Sequence, residues 1–166
     1  RAKIQYRDER NAWQKQNYNT ARVQQKLDYL EEYIRNCSAE KLDIRLRSSK
    51  NNKTAIVCCS DWHIGCCYNN EYGVYNSDIA KRRIAEYASK AISICESNDV
   101  TSVIIAGLGD NISGSIHKSV QITNRENVIE QIMLASELML SFLREFVNRG
   151  LHVVFTNVSG NHSAAE

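Results

Sequence analysis

No apolar run in the chain approaches the ~20 residues that a membrane span requires. The opening Arg1-Ala2-Lys3-Ile4 lacks the charged stretch and apolar block that mark a secretory leader. The expected location is therefore cytoplasmic, with no membrane partner. There is also no CxxC: the six cysteines include two adjacent pairs, Cys58-Cys59 and Cys66-Cys67, a spacing that suits neither a zinc knuckle nor a disulfide framework. Reduced thiols are expected. The chain has no initiating Met and stops at Ser163-Ala164-Ala165-Glu166, as an excerpt from a longer protein would.

What is present is the composition of a folded domain: 166 residues, 43% hydrophobic and 24% charged, enough for one ordinary core. The net charge of +2 conceals an asymmetry, because residues 1–53 hold 13 of the 21 Lys/Arg but only 7 of the 19 Asp/Glu. A basic N-terminal third suits contact with a polyanion such as nucleic acid, and a solvated helix face produces the same count.

From Trp13 the positions Trp13, Gln16, Thr20, Val23, Leu27, Leu30 and Ile34 recur in steps of three and four, one face of a helix with a seven-residue repeat. Residues 1–40 are thus expected to form a basic amphipathic or coiled-coil-like helix. Through residues 13–34 it would join a homodimer, pair with a partner helix, or dock on its own domain. Residues 41–166 form the second expected unit. Leu42, Ile44 and Leu46 alternate with charged residues as a half-exposed strand would, before a polar turn at residues 48–53.

Beyond Lys53 the order is strand, helix, strand, helix, strand. Each strand is an unbroken apolar run: Ala55 to Cys59, Val103 to Ala106, and Val153 to Phe155 leading to Val158. Unbroken runs predict burial on both faces, hence parallel strands covered by helices in an α/β sheet. The first helix is expected to open at Ser77-Asp78 and bury Ile84, Ala88, Ala91 and Cys95. The second shows a capping box in Thr123 and Glu126, an apolar face from Ile129 through Ile132, Leu138, Phe142 and Phe146, and a stop at Gly150.

Each strand runs out into a short polar signature: Ser60-Asp61-Trp62-His63-Ile64-Gly65, Gly107-Leu108-Gly109-Asp110-Asn111, and Ser159-Gly160-Asn161-His162. In a parallel sheet all three emerge at the carboxyl edge, where such folds bind ligands. Two carboxylates, two imidazoles and an amide are hard and borderline metal donors. Hydrolysis of a phosphate ester between two divalent ions needs a bridging carboxylate, and the central Asp110 is placed for it. Asp61 and His63, one residue apart on one side of an extended stretch, would chelate the first ion. Asn161 would offer its amide oxygen to the second, and His162 would stand by the phosphate, stabilising the transition state or protonating the leaving oxygen.

In order and in placement, D-x-H, G-D and G-N-H resemble the motifs of the calcineurin-like metallophosphoesterase superfamily, over about two thirds of the chain. Within it, Ser60 to Gly65 looks most like the opening of the SbcD-type DNA repair nucleases. Neither the G-D-x-H-G nor the D-R-G of the protein phosphatases is present. The resemblance implies the front half of a metallophosphoesterase α/β sandwich, C-terminally incomplete here. It also implies two divalent ions, manganese foremost with iron, zinc or magnesium as alternatives, and DNA as substrate. Two departures stand against it. Ser163 follows His162 where the family usually has Asp or Glu, and no histidine follows His162, whereas the family completes its metal shells with later histidines. This chain alone is therefore expected to bind metal weakly and to turn over little.

His117, in the loop after Asp110, is a candidate substrate contact or a plain surface residue, and His152 is expected to be structural or solvent-facing. Tyr68, Tyr72 and Tyr75 lie in a long connection, where they would stack bases or sugars at the site or pack the loop down. Two other functions compete: a non-catalytic scaffold whose N-terminal helix binds a partner, and a phosphatase or phosphodiesterase of small molecules.

Overall fold

The computed structural model describes residues 21, 24–25, 27–29, 31–32, 35, 44–48, 50, 52–115 and 122–163. The chain falls into two units, Arg1–Lys41 and Leu42–Glu166. In the first, the described residues are helical and exposed. Pairs four apart line this stretch: the Gln24 amide donates to Asp28 Oδ1 at 2.9 Å, and Arg35 lies 3.6 Å from Glu31. Of the seven seam positions only Leu27 is described, helical and 41% exposed. Trp13, Gln16, Thr20, Val23, Leu30 and Ile34 lie outside the described residues.

The second unit is an α/β domain. Its elements are β1 (Lys53–Cys59), β2 (Tyr68–Asn70), β3 (Gly73–Tyr75), α1 (Ser77–Ser97), β4 (Val100–Gly107), α2 (Val128–Asn148) and β5 (His152–Asn157). β1, β4 and β5 make a parallel sheet in that order, with Val57 beside Ile105 and Val103 beside Val153. Because the order advances in one direction, two crossovers of the same hand return both helices to one face, where they pack on each other.

α1 starts because the Asn76 side chain accepts from Ile79 N–H at 2.9 Å, with Asp78 in its first turn complementing the helix dipole. Its buried stripe, Ala80, Ile84, Ala88, Ala91, Ile92 and Cys95, recurs every three or four residues. α2 is capped by Asn127 and Glu130, not by the expected Thr123 and Glu126. Asn127 Oδ1 accepts from the N–H groups of Ile129 and Glu130, and Glu130 Oε2 accepts from Asn127 N–H. Glu126 is otherwise engaged, accepting from Ser77 Oγ at 2.8 Å at the start of α1. Phe142 and Phe146, fully buried with ring centroids 5.2 Å apart, anchor α2 in the core. Ile132, expected on that face, is exposed.

Two further expectations are corrected. Ile44 and Leu46 are exposed in irregular backbone, because among the described residues no strand lies alongside to form a ladder; Arg47 N–H donates to Gly150 O, at 2.7 Å. Leu42 lies outside the described residues. The sheet is buried on one face, not both. Val57, Cys59, Val103 and Ile105 are buried under the helices, while Ile56 and Val154 on the opposite side are 67% and 46% exposed. Among the described residues no helix is long and apolar enough to cross a membrane.

Candidate metal and phosphate site at the carboxyl edge

The first two signatures remain paired after their strands end. Leu108 N–H donates to Cys59 O, Asp61 N–H to Gly109 O, His63 N–H to Asp110 O, Ile64 N–H to Asn111 O and Ser113 N–H to Ile64 O, so the parallel alignment of β1 and β4 continues into the site. The stretch is not extended as expected: Asp61 and His63 take left-handed backbone. Trp62 and Ile64 are buried, Trp62 lying edge-on to Phe142 at 6.0 Å, while the intervening Asp61 and His63 stay accessible. Their side chains meet on that side, with Asp61 Oδ1 3.5 Å from His63 Nε2. Ser60 Oγ donates to the other Asp61 oxygen, Oδ2.

The third signature reaches the second through glycine. A Cβ on Gly109 would fall 2.7 Å from Gly160 Cα, and one on Gly160 would collide with Asp110 Oδ1 and its amide nitrogen. Two bare Cα atoms therefore let the loops touch. At that contact His162 N–H donates to Asp110 Oδ1 at 2.9 Å, within the 3-10 turn Asn161–Ser163. The His162 ring sits at 2.7 Å, through Nδ1, from the Ser113 carbonyl and lies edge-on to His63, centroids 4.7 Å apart. A carbonyl only accepts, so Nδ1 carries the proton and Nε2 is the nitrogen left for chemistry.

Asp61, His63, Asp110 and His162 are thus brought into one neighbourhood. Asn161 is exposed at the head of the 3-10 turn, and among the described residues no hydrogen bond ties its amide to the other four. His117 lies outside the described residues. His152 heads β5, exposed, at the opposite edge of the sheet.

The sequence reading missed a polar hub under the site. Gln131 of α2 is wholly buried; its Oε1 accepts from Gly114 N–H at 2.9 Å and its Nε2 donates to Glu126 O at 2.8 Å. A Cβ on Gly65 would run into its amide, and one on Gly114 would run into His162 O. Gln131 therefore supports both the first signature and the loop against which His162 rests. The signal was present: Gln131 shares a helix face with Ala135, Phe142 and Phe146, and a polar side chain there must have partners.

Two ligands each ~2.1 Å from one ion stand roughly 3.0–3.4 Å apart, and Asp61 Oδ1 and His63 Nε2, 3.5 Å apart, lie just beyond that span. Among the described residues no three His, Cys, Asp or Glu side chains form a complete ligand cluster. Beside the site, a cavity of about 530 Å³ opens between α2 and β5, lined by Asn111, Met139, Leu143, Phe155 and Asn157 among others. Set against known proteins, the chain matches no family model, no curated protein and no solved structure.

Proposed function

We propose that the chain is the front part of a metallophosphoesterase sandwich that hydrolyses phosphodiester bonds, with DNA as substrate. The observation that carries this reading is the contact among three separate strand ends: Asp61 with His63, His63 with His162, and His162 with Asp110. The uncovered apolar face bearing Ile56 and Val154 is the one a second layer would cover.

Asp61 and His63 would hold one divalent ion, manganese foremost, with Asp110 and Asn161 serving a second. Such ions, when bound, neutralise phosphate charge and acidify water. The chain's own groups do the rest. Ser60 fixes one oxygen of Asp61, Asp110 Oδ1 anchors the backbone of His162, and Ser113 O fixes the tautomer of His162. His162 Nε2 would then take a proton from solvent and pass it to the leaving oxygen, while Nδ1 keeps its own against Ser113 O.

The test is manganese-dependent hydrolysis of bis-p-nitrophenyl phosphate and of linear DNA by the complete protein, beside Asp110→Asn and His162→Ala. Each substitution is expected to lower kcat by about 100-fold or more. Wild-type rates in either variant would move the reaction to another site. No turnover with any divalent metal in a folded complete protein would favour the non-catalytic scaffold.

A further inference from the structure

Between the first signature and α1 stands the β2–β3 hairpin, which the function proposed above does not use. Sequence alone leaves its tyrosines either stacking on a ligand or packing the loop, and the structure divides them. Tyr75 packs: it is half-buried against the core, and its hydroxyl donates to the Trp62 carbonyl, which immediately precedes His63. Tyr68 pairs with Tyr75 across the hairpin, and their rings stack at a centroid distance of 5.9 Å with 19° between planes. The Arg83 guanidinium lies 5.6 Å from the Tyr75 centroid, within cation–π range. Tyr68 is 42% exposed, and Tyr72 at the hairpin turn 88%. An aromatic stack that begins at the backbone of the site thus ends in solvent, with a cation over its Tyr75 end.

We propose that the exposed Tyr68 ring is a stacking platform for an unpaired base of a nucleic-acid strand whose phosphate lies at Asp61 and His63. The phosphate's position rests on the phosphoesterase reading; the platform rests on the hairpin. Tyr68 lies five positions after His63, so their Cα atoms are at most ~18 Å apart, a reach of a few nucleotides. A phenol ring stacks on any base, because every base presents a π face, and Arg83 adds the positive charge that a phosphate backbone requires. The preference expected is therefore for unpaired over paired strands and not for one sequence. In a blunt duplex the bases already stack on each other and present no free face except at the ends.

Fluorescence anisotropy with the complete protein in manganese, on phosphorothioate strands that resist hydrolysis, would measure affinity for a mixed-sequence single-stranded oligonucleotide and for a blunt duplex. Tyr68→Ala is expected to lose about tenfold in affinity for the single strand, with Tyr68→Phe within about twofold of wild type and duplex affinity unchanged. Tyr68→Leu, which keeps apolar bulk without a π face, should match Tyr68→Ala, so a distorted hairpin is not mistaken for a lost stack. Bis-p-nitrophenyl phosphate has no base, and its hydrolysis should be the same in all four proteins. Undiminished single-strand affinity in Tyr68→Ala and Tyr68→Leu, in a protein that hydrolyses that ester, would overturn the platform and leave the phosphoesterase reading standing. Equal losses on duplex and single strand would also overturn it. Loss confined to the single strand, in a protein that hydrolyses nothing, would uphold the platform and remove the phosphoesterase reading.

Discussion

The backbone turns through positive φ at both ends of the three-stranded sheet, yet the residues that do so have different consequences. At the amino end they are Asn52 at 37°, Asp99 at 56° and Gly150 at 75°, each placed just before a strand. These residue types tolerate the left-handed region, and there it is turn chemistry: Asp99 and Gly150 close α1 and α2 before β4 and β5 begin. At the carboxyl end they are Asp61 at 56°, His63 at 42° and Asp110 at 52°, together with Gly65, Gly109 and Gly114 in the same loops. Left-handed backbone at a non-glycine residue, least costly at Asn or Asp and more so at His63, costs on the order of 1–3 kcal/mol and persists only where the surroundings enforce it. Here the surroundings are the paired backbones of the first two signatures and the side chains that meet above them. One conformation thus ends helices at one edge and aims ligand-type side chains at the other. The lesson is that φ alone marks no site; what the side chain meets decides.

The sharpest break of this comparison pairs two glycines. Gly160→Ala would drive a methyl group into Asp110 Oδ1 and the Asp110 amide, displacing the carboxylate that anchors His162. Gly150→Ala would strain a residue at φ 75° and press on Arg45 O. Both should lose stability, the second by about 1–2 kcal/mol. Only Gly160→Ala should also abolish manganese-dependent hydrolysis by the complete protein. Thermal melts and rates on both variants decide it, and equal activity in the two would mean that the Gly160 contact has no part in the chemistry.

The contrast between the ends was half legible in the sequence. The strands and their signatures stood out because each apolar run gives way within a few residues to a signature holding Asp, Asn or His, and a parallel sheet sends all such signatures to one edge. The β2–β3 hairpin did not stand out, because each of its strands is three residues long and gives periodicity too little to work on. The cap of α2 was misplaced because two residue pairs with capping-box spacing lie four residues apart, Thr123 with Glu126 and Asn127 with Glu130. The choice between them turns on Glu126 bonding Ser77, 49 residues earlier. The uncovered face of the sheet was misread for a related reason. An unbroken apolar run records what a strand is suited to pack against, and among the described residues only one such layer is present.

Next in size is an effect of pH that sets the buried side of the carboxyl end against its open side. Cys59, the last residue of β1, is buried, and its thiol is pushed up to about 11 from 9.0, by burial first and then by the adjacent Cys58. Between those values the folded chain keeps a proton that the unfolded chain has released. Stability from this group is therefore full below pH 9 and falls as pH rises towards 11. Urea midpoints taken at pH 7 and pH 10 should show the loss, and Cys59→Val should reduce it, leaving the share from Cys66 and Cys95, whose thiols burial also raises. A slope unchanged by the substitution would mean that the thiol ionises as readily in the fold as in the unfolded chain.

The smallest effect makes the same substitution at both ends. Asp99 and Asp110 have nearly equal φ, so glycine relieves the backbone at either position, and part of that gain is offset by ~0.5–1 kcal/mol of extra unfolded-state entropy. Asp99 follows the last turn of α1 and its backbone N–H donates to Glu96 O, a bond that survives the loss of the side chain. Asp99→Gly should therefore leave the protein as stable as before or raise stability by at most ~1 kcal/mol, a shift of a few degrees in Tm for a chain of this length. Asp110→Gly removes the acceptor of the His162 N–H. A hydrogen bond to a charged group contributes ~1.5–3 kcal/mol, more than the backbone regains, so this variant should melt lower. Opposite signs from one substitution at matched φ would show that the carboxyl end keeps its aspartate for what the side chain holds. Two melts shifted in the same direction would show that backbone relief outweighs the Asp110–His162 contact, and with it the strongest link between the second and third signatures.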